Sequence, residues 1–372
     1  MHNLIVSPYL DGEHLVLCPG RGGGLRISQG KYQELAEAGD PPAWFADAVT
    51  TLWGRDMPLH PFGDAVLVRP VTGYEYVRAT YELNLGCNYD CEHCYLGIKE
   101  FKGLTWPDRE KMLHILRDVG VLWLQLTGGE PTIDKLFRET YGLAYDLGMM
   151  LSILSNGSKL HEPKVLDLLT THRPHEITVS VYGATEASYD GLTRRPGSFR
   201  KFHKGVSAAV EAGLPLKFSL IVTNHSADEV AQMEALANGW GVPYVTFVNM
   251  SPTIYGGAET LPSQSVEHLR KRKPFTGCNA GHTFFHVDPH GIASICKIGR
   301  EPNVRLVEEG AAGLARLGDI ADSLLLRQGG CTGCTLQGTC GTCMPLVQLY
   351  RKAKSPLANY CQHREREEVT AT

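Results

Sequence analysis

The chain has 372 residues, and its 36 Lys and Arg against 40 Asp and Glu give a formal net charge of −4. The length suits a main domain of roughly 200 residues with additions. Because the charges are mixed and no long basic stretch occurs, nucleic acid is not expected as a partner. The short basic run at residues 270–273 is interpreted as a solvated loop.

The sequence predicts a protein of the cytoplasm with no membrane partner. The first residues, MHNLIVSPYLDGEH, lack a basic start followed by an apolar stretch and a small-residue cleavage site. No apolar run approaches the roughly 20 residues that cross a bilayer. The 11 cysteines are odd in number and cannot all pair, and a reducing compartment would not keep disulfides. Clustered thiols therefore indicate metal ligation.

A small α+β unit is predicted over residues 1–75. The segments NLIVSPYL, HLVLCPG and GLRISQG indicate three short strands, and the apolar spacing of KYQELAEAG and AWFADAVTTLW indicates two helices. Cys18 falls in this unit and is interpreted as a packed structural thiol.

An α/β fold is predicted for residues 78–265, where short β-branched runs alternate with amphipathic stretches. The six strands expected are TYELN, VLWLQL, MLSIL, EITVSV, LKFSLIV and YVTFV. The helices between them are expected to stop near Gly120, Gly148, Gly213 and Gly241. Six such units predict a partial (β/α)6 TIM-like barrel, whose chemistry lies at the C-terminal ends of the strands.

The last segment, residues 275–365, is rich in Cys, Gly and Thr and has few apolar runs. We expect that a hydrophobic core alone does not fold it and that bound metal supplies the missing stability.

Three cysteines follow the first barrel strand in LGCNYDCEHCYLG: Cys87, Cys91 and Cys94, separated by three and two residues. A structural zinc site needs four closed ligands, whereas a four-iron cluster on three thiolates keeps one iron free. The alternative is a zinc site that recruits His93 as its fourth ligand.

The segment CNYDCEHC resembles the signature of radical S-adenosylmethionine (SAM) enzymes, in which the residue before the last cysteine lies near the adenine; His93 occupies that place. The resemblance implies a [4Fe-4S] cluster that binds SAM through its amino and carboxylate groups. It also implies that LTGGEP receives the amino end of SAM. There Gly128 and Gly129 let the backbone approach, and Glu130 is expected beside the ligand.

Polar residues also follow the next two strands. By the same resemblance, Ser155, Asn156 and Ser180 are candidates for the ribose and carboxylate contacts of SAM, although such clusters also suit ordinary turns. Arg194, Arg195 and Asn224 occur at a similar level, where ligand contact and loop structure both remain open.

Seven cysteines occur after residue 275, and CTGCTLQGTCGTC taken alone suits either a zinc ribbon or an iron–sulfur site. Their arrangement resembles the SPASM extension of radical SAM enzymes, which carries two auxiliary iron–sulfur clusters. That pattern assigns one set of four ligands and one of three: Cys331, Cys334, Cys340 and Cys361; and Cys278, Cys296 and Cys343.

Two features depart from that family pattern. Two residues rather than the usual three separate Cys340 from Cys343, and no cysteine lies just before Cys278. The cluster on Cys278, Cys296 and Cys343 therefore has either an open iron or a ligand that is not cysteine.

These resemblances imply a peptide maturase that cleaves SAM reductively to a 5′-deoxyadenosyl radical. The radical abstracts a substrate hydrogen, and a ribosomally made peptide acquires a thioether or carbon-based cross-link. The implied partners are a precursor peptide and an electron donor such as flavodoxin or ferredoxin. Residues 1–75 are similar to the winged-helix-like element that binds a leader peptide, and the alternative is a structural cap on the barrel.

Three other functions remain open from the sequence. One is a protein-residue dehydrogenase similar to sulfatase maturases, and another is a small-molecule or haem-pathway dehydrogenase. The third is a non-catalytic zinc-binding or electron-transfer protein. No residue is singled out as general acid or base, because position alone does not choose among the polar groups at a barrel mouth.

Overall fold

A computed structural model describes residues 2–54, 58–269 and 277–361. The basic run at residues 270–273 lies outside these ranges, so its interpretation as a loop stays a prediction. Within the described ranges, no helix combines the length and the apolar character needed to span a bilayer.

The N-terminal residues form a four-stranded sheet covered by three helices. Its elements are β1 (Leu4–Pro8), β2 (His14–Leu17), β3 (Gly24–Ile27), α1 (Gln29–Glu37), α2 (Ala43–Trp53), α3 (Phe62–Ala65) and β4 (Val66–Val68). The strand order is β3-β2-β1-β4, with β1 antiparallel to β2 and parallel to β4. The short α3 and β4 were not expected, because elements of four and three residues are too short to show a period.

This sheet and its helices share a core of their own. Apolar side chains of β1 and β2 meet the inner faces of α1 and α2, and Cys18 is buried among them. The other face of the sheet rests on the barrel, where Ile5 and Leu17 pack against Leu122 and Met150.

The barrel consists of six parallel strands and the helices that connect them. In chain order these are β5 (Arg78–Glu82), α4 (Trp106–Asp118), β6 (Trp123–Thr127), α5 (Phe137–Asp146), β7 (Met150–Ser155), α6 (Pro163–Thr171), β8 (Glu176–Val181), α7 (Glu186–Thr193), α8 (Ser198–Glu211), β9 (Leu216–Ile221), α9 (Val230–Gly239) and β10 (Tyr244–Phe247). All six expected strands are present, in the order β10-β9-β8-β7-β6-β5, and the sheet is open rather than closed.

Glycines end four of the connecting helices, as the sequence indicated. Gly120, Gly148, Gly213 and Gly241 each follow a helix with φ between 64° and 93°, a left-handed conformation that other residues adopt at a cost.

Alternation along the strands makes the inner wall of the barrel polar. In β8, Ile177 and Val179 are fully buried beneath the helices, whereas the intervening Glu176, Thr178 and Ser180 face inward. The same alternation holds in β9. Successive strand residues point to opposite faces, so an apolar outer layer and a polar interior arise from one sequence pattern.

The Cys-rich segment begins by extending the barrel sheet. β11 (Phe284–Val287) pairs in parallel with β5, and β12 (Ile292–Ser294) and β13 (Val304–Arg305) follow as antiparallel strands. In the part of this segment that the structure describes, three α-helices follow: α10 (Leu306–Gly313), α11 (Arg316–Ser323) and α12 (Met344–Lys352).

The first half of this segment contains more apolar packing than the sequence indicated, and its need for metal stays a prediction. Phe285, Val287, Ile295 and Leu317 are fully buried in the same core as the barrel strands. Their apolar runs are too short to show a clear period, which is why the sequence did not reveal them. The second half rests on a small separate cluster that includes Val347, Tyr350 and Tyr360.

Candidate functional site

A cavity of about 580 Å³ opens at the C-terminal ends of the barrel strands. Nine of the ten residues predicted for the first cluster and for SAM line it: Cys87, Cys91, His93, Cys94, Gly128, Gly129, Ser155, Asn156 and Ser180. These residues come from four separate stretches of chain, and the parallel sheet brings the ends of those stretches together.

The three-cysteine loop is fixed to the barrel by hydrogen bonds. Asn156 Nδ2 donates to Asn88 Oδ1 at 2.9 Å and lies 3.9 Å from Cys87 Sγ. Asn88 Nδ2 donates to Ser158 Oγ, which follows β7, at 2.9 Å. Within the loop itself, Lys99 Nζ donates to the carbonyl of Tyr89 at 2.6 Å. The protein therefore shapes this loop through its own contacts.

The two glycines of LTGGEP allow backbone to pack on backbone. A Cβ on Gly128 would lie 2.1 Å from the carbonyl oxygen of Asn84, and one on Gly129 would lie 2.0 Å from that of Gly86. The Gly129 N–H donates to the Asn84 carbonyl at 2.9 Å. No side chain fits at either place, so the glycines set the distance between this loop and the strand end that leads to Cys87.

Glu130 is completely buried and does not line the cavity. Its carboxylate accepts hydrogen bonds from Ser155 Oγ at 2.8 Å and from the Asn156 backbone N–H at 2.7 Å. Burial raises the pKa of Glu130, and these hydrogen bonds oppose the rise. Glu130 therefore fixes two residues that face the cavity, and its expected place beside the ligand stays a prediction.

An aromatic pair forms part of the cavity wall. The rings of His93 and Tyr182 lie 5.2 Å apart between centroids, tilted by 55°. Burial lowers the pKa of His93 to about 4, so the imidazole is neutral at pH 7. Its Nδ1 is buried and has no hydrogen-bond partner among the residues that the structure describes.

The chemistry of the three thiols fits an iron–sulfur cluster that deprotonates its own ligands. Burial, and secondly the charge of Glu130, raise the pKa of Cys87 to about 11, and burial also raises the pKa of Cys91 well above its usual value. Such thiols are protonated at pH 7 unless a metal binds them. In the described part of the chain, no three His, Cys, Asp or Glu side chains are grouped to hold a single metal ion. A cubane instead spreads its thiolates over separate irons.

Residues 81–237 match the family described as the Radical SAM superfamily. These residues form a radical SAM domain. The match begins in β5 and ends in α9, so it includes the three-cysteine loop, LTGGEP and the ends of β7 and β8.

Two curated relatives are similar to part of this chain. The sporulation killing factor maturation protein SkfB of Bacillus subtilis is 27% identical over 49% of this chain and 43% of the relative. The AdoMet-dependent heme synthase of Methanosarcina barkeri is 26% identical over 45% of this chain and 49% of the relative. The matched region is thus less than half the length of either relative.

A solved structure is similar over a longer part of the chain. SuiB of Streptococcus suis, bound to S-adenosylmethionine, superposes with a TM-score of 0.59 over 94% of this chain and 96% of that one. At 11% identity this likeness shows the fold alone, and it extends on both sides of the radical SAM domain.

The cysteines after the radical SAM domain form two groups. Burial and then the charges of Cys296 and Cys278 raise the pKa of Cys343. For Cys331, burial and then the charges of Cys334, Cys340 and Cys361 do the same. The assignment of these cysteines to two auxiliary iron–sulfur clusters stays a prediction.

Arg194 and Arg195 do not line the cavity of the radical SAM domain. Arg194 ends α7 in a left-handed conformation with φ 51°, and its Nη2 lies 3.5 Å from Glu92 Oε2. These contacts favour a role for Arg194 in loop structure over a role in ligand contact. Asn224 Nδ2 donates to the carbonyl of Pro262 at 3.1 Å, which also ties it to a loop.

Sequence reasoning missed a buried ion pair beside the domain's first strand. Glu82, fully buried at the end of β5, accepts two hydrogen bonds from Arg300, at 2.8 and 3.0 Å. Burial alone raises the pKa of Glu82, but the hydrogen bonds and charges of His286 and Arg300 outweigh it and lower the pKa to about 2. The pair joins the radical SAM domain to the segment that follows Cys296.

Lys297 was also missed, although it lines the cavity. Burial lowers its pKa, and its Nζ lies 5.1 Å from the centroid of the Tyr95 ring. Neither Lys297 nor Tyr95 belongs to a recognisable motif. The only signal in the sequence is that they follow two of the cysteines, Cys296 and Cys94.

Proposed function

We propose that this chain is a radical SAM peptide maturase that oxidatively modifies a ribosomally synthesised peptide. One observation carries the proposal: Cys87, Cys91 and Cys94 face the same cavity as Lys297, which directly follows the auxiliary cysteine Cys296. A radical source and an auxiliary-cluster loop therefore share one space, large enough for SAM and part of a peptide chain.

The residues of the chain supply binding and positioning. Cys87, Cys91 and Cys94 would hold a [4Fe-4S] cluster that, when bound, supplies reductive cleavage of SAM to a 5′-deoxyadenosyl radical. Gly128 and Gly129 bring the LTGGEP backbone to the ligand, and Glu130 keeps the polar groups at the end of β7 in place. The His93 and Tyr182 rings offer an apolar wall on which an adenine can pack.

The two C-terminal cysteine groups are proposed as auxiliary iron–sulfur sites. The group of Cys278, Cys296 and Cys343 includes the residue just before Lys297, which lines the cavity, and it provides three thiolates, which leaves an iron open or a place for another ligand. The second group, Cys331, Cys334, Cys340 and Cys361, provides a complete set of four. Electron acceptance by such clusters after hydrogen abstraction supports an oxidative outcome.

The assay that tests this proposal uses anaerobically reconstituted protein with SAM and dithionite, then with reduced flavodoxin or ferredoxin as the electron donor. We expect iron for about three cubane clusters and formation of 5′-deoxyadenosine. Peptides encoded beside this gene should lose hydrogen, detected as a mass decrease. Zinc in place of iron, with no 5′-deoxyadenosine, would support the non-catalytic alternative.

Residues 1–75 are proposed to bind the leader part of the precursor peptide. In the described part of their sheet, β3 lies at an edge and pairs only with β2, so its outer side can accept an extended peptide strand. Fluorescence anisotropy of a labelled leader peptide measures its binding to the full chain. The Leu25→Pro variant, which disrupts the edge strand β3, is measured in the same way and should bind the leader more weakly. Equal binding by both proteins, or no binding by either, would remove the leader-binding role.

A haem-pathway or other small-molecule reaction is the second candidate. It is favoured by the similarity to a protein named AdoMet-dependent heme synthase. The same assay separates the two functions, because a small-molecule enzyme would form 5′-deoxyadenosine with no mass change in any peptide. A formylglycine-type product on a Cys or Ser residue would instead indicate the dehydrogenase similar to sulfatase maturases.

A further inference from the structure

Three lysines but one carboxylate line the cavity, and two of the lysines already have partners. Lys99 contacts Asp90 and donates to a backbone carbonyl. Lys217 Nζ lies 3.6 Å from Oε2 of Glu176, the one carboxylate in the cavity wall. The backbone carbonyl of Lys297 accepts a hydrogen bond from Arg300 Nε at 3.0 Å, but its side-chain ammonium has no ion pair or hydrogen bond to any residue in the described ranges of the chain. Among the residues that the structure describes, Lys297 is thus the one lysine of the cavity whose ammonium has no carboxylate partner.

The surroundings of Lys297 explain why no protein carboxylate reaches it. Glu82, the nearby buried acid, is fully engaged by the two hydrogen bonds from Arg300. The Lys297 ammonium lies instead over the Tyr95 ring, a contact that holds a cation without using its N–H donors. Its side chain is accessible, and the space it reaches is the cavity.

Lys297 also lies away from the residues predicted to contact SAM. It follows β12, which is separated from β5 by β11, on the opposite side of β5 from β6, β7 and β8. Gly128, Ser155 and Ser180 lie at the ends of those three strands. The ammonium therefore faces the cavity from the side of the auxiliary cysteines.

We propose that Lys297 binds a carboxylate of the peptide substrate and so determines which peptide segment enters the cavity. This assignment rests on the proposed peptide maturase function. The carboxylate belongs either to an Asp or Glu side chain or to the C-terminus of the peptide. Charge-assisted hydrogen bonds strengthen where protein excludes bulk water, so an acid should bind about tenfold more tightly than its amide.

Calorimetry on the oxidised, cluster-reconstituted, SAM-loaded protein tests the assignment with three small probes. N-acetylglutamate amide carries only a side-chain carboxylate, N-acetylglutamine only a terminal one, and N-acetylglutamine amide carries neither. We expect one of the two acids to bind about tenfold more tightly than the neutral probe, and the acid that does so identifies the source of the carboxylate. Lys297→Gln should abolish this difference, whereas Lys297→Arg should keep most of it.

The matched control is Lys111→Gln, which removes an exposed lysine on α4 outside the cavity and should keep the acid preference. Equal binding of all three probes to the unaltered protein would overturn the assignment. An unchanged acid preference in Lys297→Gln would also overturn the assignment. If that variant instead binds SAM more weakly or has a shifted auxiliary-cluster potential, with the acid preference unchanged, Lys297 acts on those groups and not on a substrate carboxylate.

Failure of the proposed function is recognised separately. If no peptide loses hydrogen in the maturase assay but the Lys297-dependent acid preference is present, the peptide substrate is wrong while the carboxylate site stands. If peptides are modified without any Lys297-dependent preference, the maturase proposal stands and the role of Lys297 falls.

Discussion

The first cysteine loop and the last cysteine group differ in how the protein supports them. The loop from Cys87 to Cys94 is tied to the barrel by the hydrogen bonds of Asn88 with Asn156 and Ser158. It follows a strand end that packs against two glycines that admit no side chain. The segment from Cys331 to Cys361 consists of turns, the helix α12 and a short 3-10 helix over a small apolar cluster. The fold therefore shapes the first site in advance, whereas the last site depends on its metal for shape.

The remaining group lies between these extremes. Cys278, Cys296 and Cys343 are partly buried against the same core as the barrel strands. Support by the protein thus decreases along the chain, from the first cluster to the three-cysteine group and then to the four-cysteine group. Each of the following substitutions tests one step of that order.

The largest effect is expected for Cys91→Ala. Loss of one of three thiolates removes the cluster that cleaves SAM, so 5′-deoxyadenosine should fall to background, while much of the auxiliary iron remains. Because the loop is held by other residues, far-UV circular dichroism should be unchanged. Undiminished SAM cleavage in this variant would refute the assignment of the first cluster.

The junction between the two regions is tested by Arg300→Met. The change leaves the fully buried Glu82 carboxylate without its bidentate partner, and breaking such a pair costs about 3 kcal/mol or more of unfolding free energy. Urea denaturation of the reconstituted protein measures it. Arg305→Met is the control, because its partner Glu308 is also exposed and a surface pair contributes about 1 kcal/mol or less. Equal losses in both variants would show that Glu82 and Arg300 do not join the regions.

A smaller effect is expected for Gly129→Ala, which tests whether the fold shapes the first site. The added Cβ would lie 2.0 Å from the Gly86 carbonyl oxygen, and such overpacking costs about 1–3 kcal/mol. SAM cleavage should fall as the LTGGEP loop moves away from Cys87. Gly142→Ala is the matched control, because a Cβ there meets nothing within 4 Å and lies within α5, where alanine is the better helix former. Normal cleavage by Gly129→Ala would mean that the loop tolerates displacement.

Most of the barrel was predictable because its strands and stop signals repeat. The runs EITVSV and LKFSLIV show the period of two, and Gly120, Gly148, Gly213 and Gly241 mark the helix ends. The extension of the sheet by β11 to β13 was not predictable in this way. Those strands are four, three and two residues long, and their partners are distant in sequence.

The site was predictable only where a motif carries its residues. The spacing of Cys87, Cys91 and Cys94 and the pair Gly128 and Gly129 are local patterns, and the structure places all five around one cavity. Glu82 and Arg300 meet across more than 200 residues, and the role of Lys297 depends on which lysines already have partners. Such long-range pairings follow from the packing of the chain, which no local pattern encodes.

The smallest effect on the barrel is expected for Cys334→Ser, which probes the least supported group. Serine is a poor iron ligand, so the protein should lose the iron of this cluster while keeping SAM cleavage and the unfolding free energy of the barrel. The turns between residues 331 and 361 should then open, because their apolar cluster is small. Limited trypsin digestion should cut faster at Arg351 and Lys352, near the end of α12.

Cys18→Ser is the control, since that thiol is buried in the N-terminal core, far in sequence from these turns. Unchanged digestion despite the loss of iron would mean that protein contacts hold the segment, and the contrast between the two cysteine regions would disappear.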